Sequence, residues 1–153
     1  MTANLDALTL ATLPATVSQP AYDRAELKSG IVHLGLGAFH RAHQAVYTED
    51  AILAAGGSWG ITGVSMRSDQ VARQLLPQDC LYSVLADDGQ QQSLRVVGVL
   101  KNVLVASTQL AEVCSAIADA QTRIVSLTIT EKGYCVGADG VSMDKEHPQL
   151  RQD

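Results

Sequence analysis

Ile31-Val32-His33-Leu34-Gly35-Leu36-Gly37-Ala38-Phe39-His40-Arg41 is the stretch on which the fold turns. Residues 31–36 form a short, apolar, β-branched run, which suits a buried strand better than a helix. The run stops at Gly35-Leu36-Gly37. From about residue 40 to 55, Ala42, Ala45, Val46, Ile52 and Leu53 then recur at helical spacing, with no proline and with Gly56-Gly57 as a stop. A strand that ends in Gly-x-Gly and opens a helix brings main chain close to whatever docks at that helix's start. Gly35 takes the tight turn, and Gly37 has no Cβ to stand in the way of a phosphate. Free N–H groups in the first helical turn favour an anion by roughly 0.3–2 kcal/mol, and Arg41 adds a charge-assisted hydrogen bond. The third glycine of Gly-x-Gly-x-x-Gly is absent; His40 stands there. On these residues alone, a phosphate cradle and a plain tight turn between packed elements remain open as alternatives.

Residues 59–66, Trp-Gly-Ile-Thr-Gly-Val-Ser-Met, read as a second buried strand. Ser68 or Asp69 caps a following helix that runs to about Leu76 and ends at Pro77. Residues 80–85 and 94–100 are strands around an Asp87-Asp88-Gly89 turn, so they make a hairpin or an antiparallel excursion. Ser107 or Thr108 opens a helix with Leu110, Val113, Cys114 and Ile117 on its apolar face. Residues 123–130, Arg-Ile-Val-Ser-Leu-Thr-Ile-Thr, carry the strongest strand pattern and lead into Glu131-Lys132-Gly133-Tyr134. Residues 1–21 read as an irregular arm, with Leu5, Leu8, Leu10 and Leu13 available to lie on the body. Alternating elements of this kind predict an α/β protein with a doubly wound, mostly parallel sheet, helices on both faces and an inserted strand pair.

A hydrophobic share of 46% supports a core, and a charged share of 18% is too low for disorder. Aromatics make up only 4%, so the packing is aliphatic. The net charge of −5 argues against a nucleic acid or an acidic membrane as partner, but not against one small anion held by amides. Cys80, Cys114 and Cys135 are scattered, which suits thiols in a reducing cytosol better than a disulfide scaffold or zinc knuckle. The first twenty residues lack a basic start and carry Asp6, so they do not read as a secretory signal. No run approaches a membrane span, and a soluble cytoplasmic protein is expected.

Four further positions are candidates for chemistry. Asp69 follows the second strand, where dinucleotide folds place an acid that accepts from the adenosine ribose; it reads equally as a helix cap. Arg67 beside it is suited to the ribose phosphate of NADP, so NAD is the favoured expectation and NADP stays open. His40 and His43 sit one helical turn apart without a third ligand at useful spacing. They read as packing histidines, and no metal site is expected. Glu131 follows the strongest strand at the sheet's carboxyl edge, either to position a substrate hydroxyl and pass a proton or as a solvated loop residue.

Gly35-Leu36-Gly37-Ala38-Phe39-His40-Arg41-Ala42-His43-Gln44 resembles the signature opening of the polyol-specific long-chain dehydrogenases, a family that includes mannitol 2-dehydrogenase and fructuronate reductase (mannonate oxidoreductase). The likeness continues in Trp59-Gly60-Ile61, in Gln78-Asp79-Cys80-Leu81-Tyr82, and in Ile124-Val125-Ser126-Leu127-Thr128-Ile129-Thr130-Glu131-Lys132-Gly133-Tyr134. It covers the chain from about Tyr22 to the end. The resemblance implies metal-independent hydride transfer between a nicotinamide and a sugar carbon, the pair being polyol and ketose or hexonate and keto-hexuronate. It implies a Rossmann-like nucleotide domain over 22–153, with Gly35, Leu36, Gly37, Ala38, Phe39, His40 and Arg41 at the pyrophosphate turn. Some mannitol enzymes carry two adjacent acids where this chain has Asp69-Gln70, which leaves the choice between NAD and NADP open. Glu131 matches the family glutamate at the edge of the active site. The Glu-Lys-Gly-Tyr block looks like the fructuronate reductase branch, whereas Met66-Arg67-Ser68 looks like the mannitol branch. The family's catalytic lysine, asparagines and histidine lie in a later helical domain, and Lys132 falls on a variable position. The resemblance therefore implies a truncated domain that binds nucleotide with little or no turnover by itself, and whose uncovered half-sheet favours self-association.

Overall fold

The computed structural model describes residues 4–129, 135–137, 139–148 and 150. The arm carries a short helix α1 (Ala7–Leu10) and a two-residue strand β1 (Val17–Ser18). Asp6 starts α1 with a capping box: its carboxylate accepts from the N–H groups of Leu8 and Thr9, and the Thr9 hydroxyl accepts from the N–H of Asp6. Then follow β2 (Ser29–Leu34), α2 (Ala38–Ala42), α3 (Gln44–Ala55), β3 (Gly60–Ser65) and α4 (Gln70–Leu75), which runs into one 3-10 turn at Leu76–Gln78. The remainder is β4 (Tyr82–Asp87), β5 (Gln92–Val97), β6 (Leu100–Val105), α5 (Leu110–Ala118) and β7 (Ile124–Leu127).

Four strands form a parallel sheet in the order β6-β3-β2-β7. β3 is buried along its whole length, as a central strand covered on both faces must be. Ile31 and Ile61 point to the face covered by Ala45 and Ile52 of α3 and by Ala72 and Leu75 of α4. Val32, Val64 and Leu104 point the other way, against Val113 of α5. The chain thus steps from β2 to β3 to β6 with helices on one face. It then returns to the far side of β2 by way of α5 on the opposite face. That reversal at β2 makes the sheet doubly wound and leaves a crevice between the carboxyl ends of β2 and β7.

The inserted pair is an antiparallel hairpin, β4 with β5, from Tyr82 opposite Val97 to Asp87 opposite Gln92. Its tip is held by Asp87 and Asp88, whose carboxylates accept from the N–H groups of Gly89, Gln90 and Gln91. β1 adds to β5 in parallel, so the arm extends this second sheet. One buried carboxylate fastens the hairpin to the body. Glu49 of α3, 1% exposed, accepts from Tyr22 Oη at 2.7 Å, from the N–H of Gly98 at 2.7 Å and from Arg95 at 3.0 Å.

Two local readings need correction. The strand read over 94–100 ends at Val97, and a separate parallel strand, β6, follows Gly98 and Val99. Lys101 and Asn102 hid it by interrupting the apolar pattern. Both are satisfied locally: the Lys101 ammonium donates to the carbonyl of Arg24, and the Asn102 side-chain oxygen accepts from the N–H of Val103. The helix read from residue 40 begins at Ala38 and breaks at His43 (φ −125°, ψ −80°). There the His43 ring reaches back to the carbonyl of Phe39 at 2.9 Å. No helix among the described residues is long and apolar enough to cross a membrane.

Candidate functional site

The glycine turn leaves β2 at the reversal point of the sheet. Gly35 has φ +97°, and a Cβ there would lie 3.1 Å from the carbonyl of Thr128, so the position requires glycine. The N–H groups of Gly35 and Leu36 both donate to the carbonyl of Val64, at 2.9 and 3.0 Å, which stitches the turn to β3. The N–H of Gly37 closes back on the carbonyl of Gly35 at 2.7 Å. Leu36 is buried over Gly63, where a Cβ would come within 2.6 Å of its side chain.

Gly37 is different. Its backbone is extended, and a Cβ added there would meet only the carbonyl of Gly35, at 3.8 Å. Packing among the described residues does not demand a glycine at this position, and the missing Cβ leaves it open to approach from outside. Beyond it, α2 opens without a side-chain cap, and the N–H groups of Ala38, Phe39 and His40 donate to no described residue. Three unengaged amides next to a position without a side chain fit a diphosphate. Arg41 stands half-buried beside them, its Nε 3.4 Å from the carbonyl of Gly37.

His40, at the place of the missing third glycine, is 1% exposed and stacks on His33 of β2 with ring centroids 3.7 Å apart. Its ring is turned inward against β2. Neither His40 ring nitrogen has a hydrogen-bond partner among the described residues. Burial, with His33 and Arg41 nearby, pushes its pKa down to about 3. His33 is also buried and also lowered by burial, opposed by its contact with the Gly35 carbonyl. Its Nδ1 lies 2.9 Å from Ser126 Oγ, and its Nε2 lies 3.2 Å from the carbonyl of Gly35 and 3.0 Å from Thr128 Oγ1. Gln44, at the start of α3, donates to Ser126 Oγ at 3.0 Å. Ser126, Thr128 and Gln44 did not emerge from the sequence. The parallel register of β2 and β7, which sets Ser126 opposite His33, brings Ser126 to the ring and is not visible along the chain.

Asp69 lies past the carboxyl end of β3, on the same sheet edge as the glycine turn. Its side chain makes no cap bond to α4; it pairs with Arg73 at 2.9 Å on the surface, while Ser68 Oγ accepts from the N–H of Gln70. Asp69 thus stands at the N-cap position of α4, its carbonyl accepting from the N–H of Arg73 at 2.9 Å, without a side-chain cap bond. Arg67 is exposed, and its carbonyl accepts from Ser107 Oγ. Glu131 lies outside the described residues. Phe39 is exposed and stacks on His43 at 4.4 Å, at the mouth of an apolar groove of about 590 Å³ between α3 and β7. No group of three or more His, Cys, Asp or Glu among the described residues is placed to hold a metal ion.

A parallel sheet that reverses at β2, with a Gly-x-Gly turn at the reversal and a helix opening upon it, defines an α/β domain of the Rossmann class. The family model described as the mannitol dehydrogenase Rossmann domain matches residues 29–151, and the chain belongs to the mannitol dehydrogenase family. It is 43% identical to mannitol 2-dehydrogenase of Cereibacter sphaeroides over 90% of its own length and 29% of that enzyme's. It is 40% identical to D-mannonate oxidoreductase of Escherichia coli K12, again over 90% of this chain and 29% of the relative. Among solved structures, Pseudomonas fluorescens mannitol 2-dehydrogenase in ternary complex with NAD and D-mannitol superposes with a TM-score of 0.85 at 37% identity, covering 98% of this chain and 31% of that one. The chain spans about 30% of the length of the relatives it matches.

Proposed function

We propose that this chain supplies the nucleotide-binding part of an NAD(P)-dependent oxidoreductase acting on a sugar alcohol or sugar acid. The observation that carries this reading is the open approach to Gly37 next to the three unengaged amides of α2. Residues 22–153 form the nucleotide domain, and residues 1–21 the arm. The pyrophosphate lies on the turn from Gly35 to Arg41: Gly37 gives clearance, the N–H groups of Ala38, Phe39 and His40 donate, and Arg41 supplies positive charge. Asp69 accepts from the adenosine ribose hydroxyls, which favours NAD; Arg67 beside it keeps NADP within reach. The nicotinamide, when bound, supplies or accepts the hydride.

What these residues do themselves is bind and orient. Glu131 takes a supporting place at the substrate edge. The two substrate pairs are mannitol with fructose and mannonate with fructuronate, supported by relatives of near-equal identity. The 153-residue chain on its own is expected to bind nucleotide with little or no turnover. Calorimetry with NADH and NADPH, and absorbance at the nicotinamide band with both substrate pairs, test these points. Micromolar binding without turnover agrees with the reading, whereas no binding of either nucleotide overturns it.

A further inference from the structure

Behind the glycine turn sits a buried polar cluster whose proton order can be read from geometry. The Gly35 carbonyl can only accept, so its 3.2 Å contact with His33 favours the proton on Nε2, where Thr128 Oγ1 at 3.0 Å is a second acceptor. The opposite tautomer would set a ring lone pair against that oxygen. With Nε2 protonated, Nδ1 accepts, and Ser126 Oγ at 2.9 Å has to donate to it. A hydroxyl has one hydrogen, so Ser126 then accepts from Gln44 Nε2 at 3.0 Å and does not donate to Gln44 Oε1 at 3.3 Å. The bonds run one way, from Gln44 to Ser126 to His33 to Gly35. They join the start of α3, the edge strand β7, β2 and the turn.

We propose that His33 is a positioning residue for the nucleotide site: as the neutral Nε2–H tautomer it holds the Gly35 carbonyl, and so fixes the direction of Gly37 and the open amides of α2. The inference rests on the nucleotide-binding reading of the same turn. His33 is 1% exposed and touches no ligand; it acts through Gly35 alone. Among the described residues that carbonyl otherwise accepts only the N–H of Gly37. The His40 ring covers one face of His33, and neither of its nitrogens has a partner among the described residues. Among the described residues, the charged or titratable groups acting on the pair are the two rings themselves and Arg41, and the polar groups at His33 and Ser126 are the neutral Ser126, Thr128 and Gln44.

NADH affinity, measured by calorimetry at pH 7.5 on the 153-residue chain, is compared across His33→Phe, His33→Gln and Ser126→Ala, with a thermal unfolding midpoint for each. Phe keeps the stack on His40 but has no donor, and is expected to weaken binding about tenfold, the worth of one well-placed hydrogen bond. Gln places an amide N–H close to the ring Nε2 position and is expected to recover most of that loss. Recovery of affinity without recovery of the thermal midpoint separates aiming of the turn from general packing. Ser126→Ala, which removes the donor to Nδ1 and leaves the core volume nearly unchanged, is expected to weaken binding severalfold. It carries the test if the Phe variant does not fold. Wild-type affinity in the Phe or Ser126→Ala variant overturns the role of His33 while leaving the nucleotide reading intact, as does Gln binding no better than Phe. Failure of the wild-type chain to bind NADH or NADPH overturns both.

Discussion

Acidification should unfold this protein through His40, and His40→Phe should remove that sensitivity. In the folded chain the His40 pKa lies at about 3, against an ordinary value of 6.5, because burial removes the ring from water and His33 and Arg41 oppose a positive charge. The sign follows from linkage. Below pH 6.5 the unfolded chain takes up a proton on His40 that the folded chain refuses, so stability falls with falling pH until about pH 3. The slope is about 1.4 kcal/mol per pH unit, which amounts to roughly 2 kcal/mol between pH 7 and pH 5. His33, lowered by burial as well, adds loss in the same direction. Phe preserves the aromatic stack and deletes two nitrogens that have no partner among the described residues. At pH 7 it should therefore be neutral or stabilising, by up to about 1 kcal/mol. Urea unfolding at pH 7 and pH 5, on wild type and variant, gives the four free energies needed. The carboxylates that titrate in this range are common to both proteins and cancel in the difference. The reasoning is refuted if both proteins lose the same stability between the two pH values, or if His40→Phe costs more than about 2 kcal/mol at pH 7.

Three other perturbations bear on the site and on the fold that holds it. Gly37→Val, at a position whose backbone is extended and whose surroundings are open, should leave the urea midpoint nearly unchanged and reduce NADH affinity by more than about tenfold; unchanged affinity refutes the turn assignment. Glu49→Ala should cost about 3 kcal/mol, because the N–H of Gly98, Tyr22 Oη and Arg95 lose a buried acceptor together, and a loss below 1 kcal/mol in urea unfolding argues against that junction. Asp69→Ala removes only an exposed ion pair with Arg73, so its stability should change by under about 1 kcal/mol, while a shift of nucleotide preference from NADH toward NADPH in calorimetry identifies Asp69 as the ribose acceptor.

The alternation of apolar runs and turn residues was enough to read the parallel sheet, because β2 and β3 are buried and carry β-branched and small residues with no charged side chain. β6 escaped because a parallel strand tolerates Lys101 and Asn102 when the fold supplies partners from Arg24 and from the next residue, and such partners cannot be seen along the chain. The glycine turn was legible in its spacing, since Gly35 is required by a backbone angle and Gly37 by clearance. Glu49 was not. It occupies the buried stripe of α3 with Ala45 and Ile52, where helical spacing alone calls for an apolar residue. Its donors, Tyr22, Arg95 and the N–H of Gly98, are distant in sequence. Ser126 and Thr128 were hidden for the same reason: their hydroxyls look like ordinary strand residues until His33 is brought opposite them.

His40 in place of the third glycine looked like a defect in the nucleotide fingerprint, and the structure explains why it is not. The third glycine ordinarily lets the helix pack closely on the strand below. Here the close approach is made one step earlier, where Leu36 fills the hollow over Gly63. That leaves room between α2 and β2 for two flat rings, and an imidazole stacked on His33 fills it without requiring a side-chain-free position. Ala38 and Phe39 stay exposed with their amides unengaged, while the ring that replaces the glycine points inward. On the proposed nucleotide reading, the arrangement ties phosphate binding to a core that must stay uncharged, so acid should weaken the turn and the fold together. A wild-type chain that lost NADH affinity well before it lost helical content on acidification would break that link.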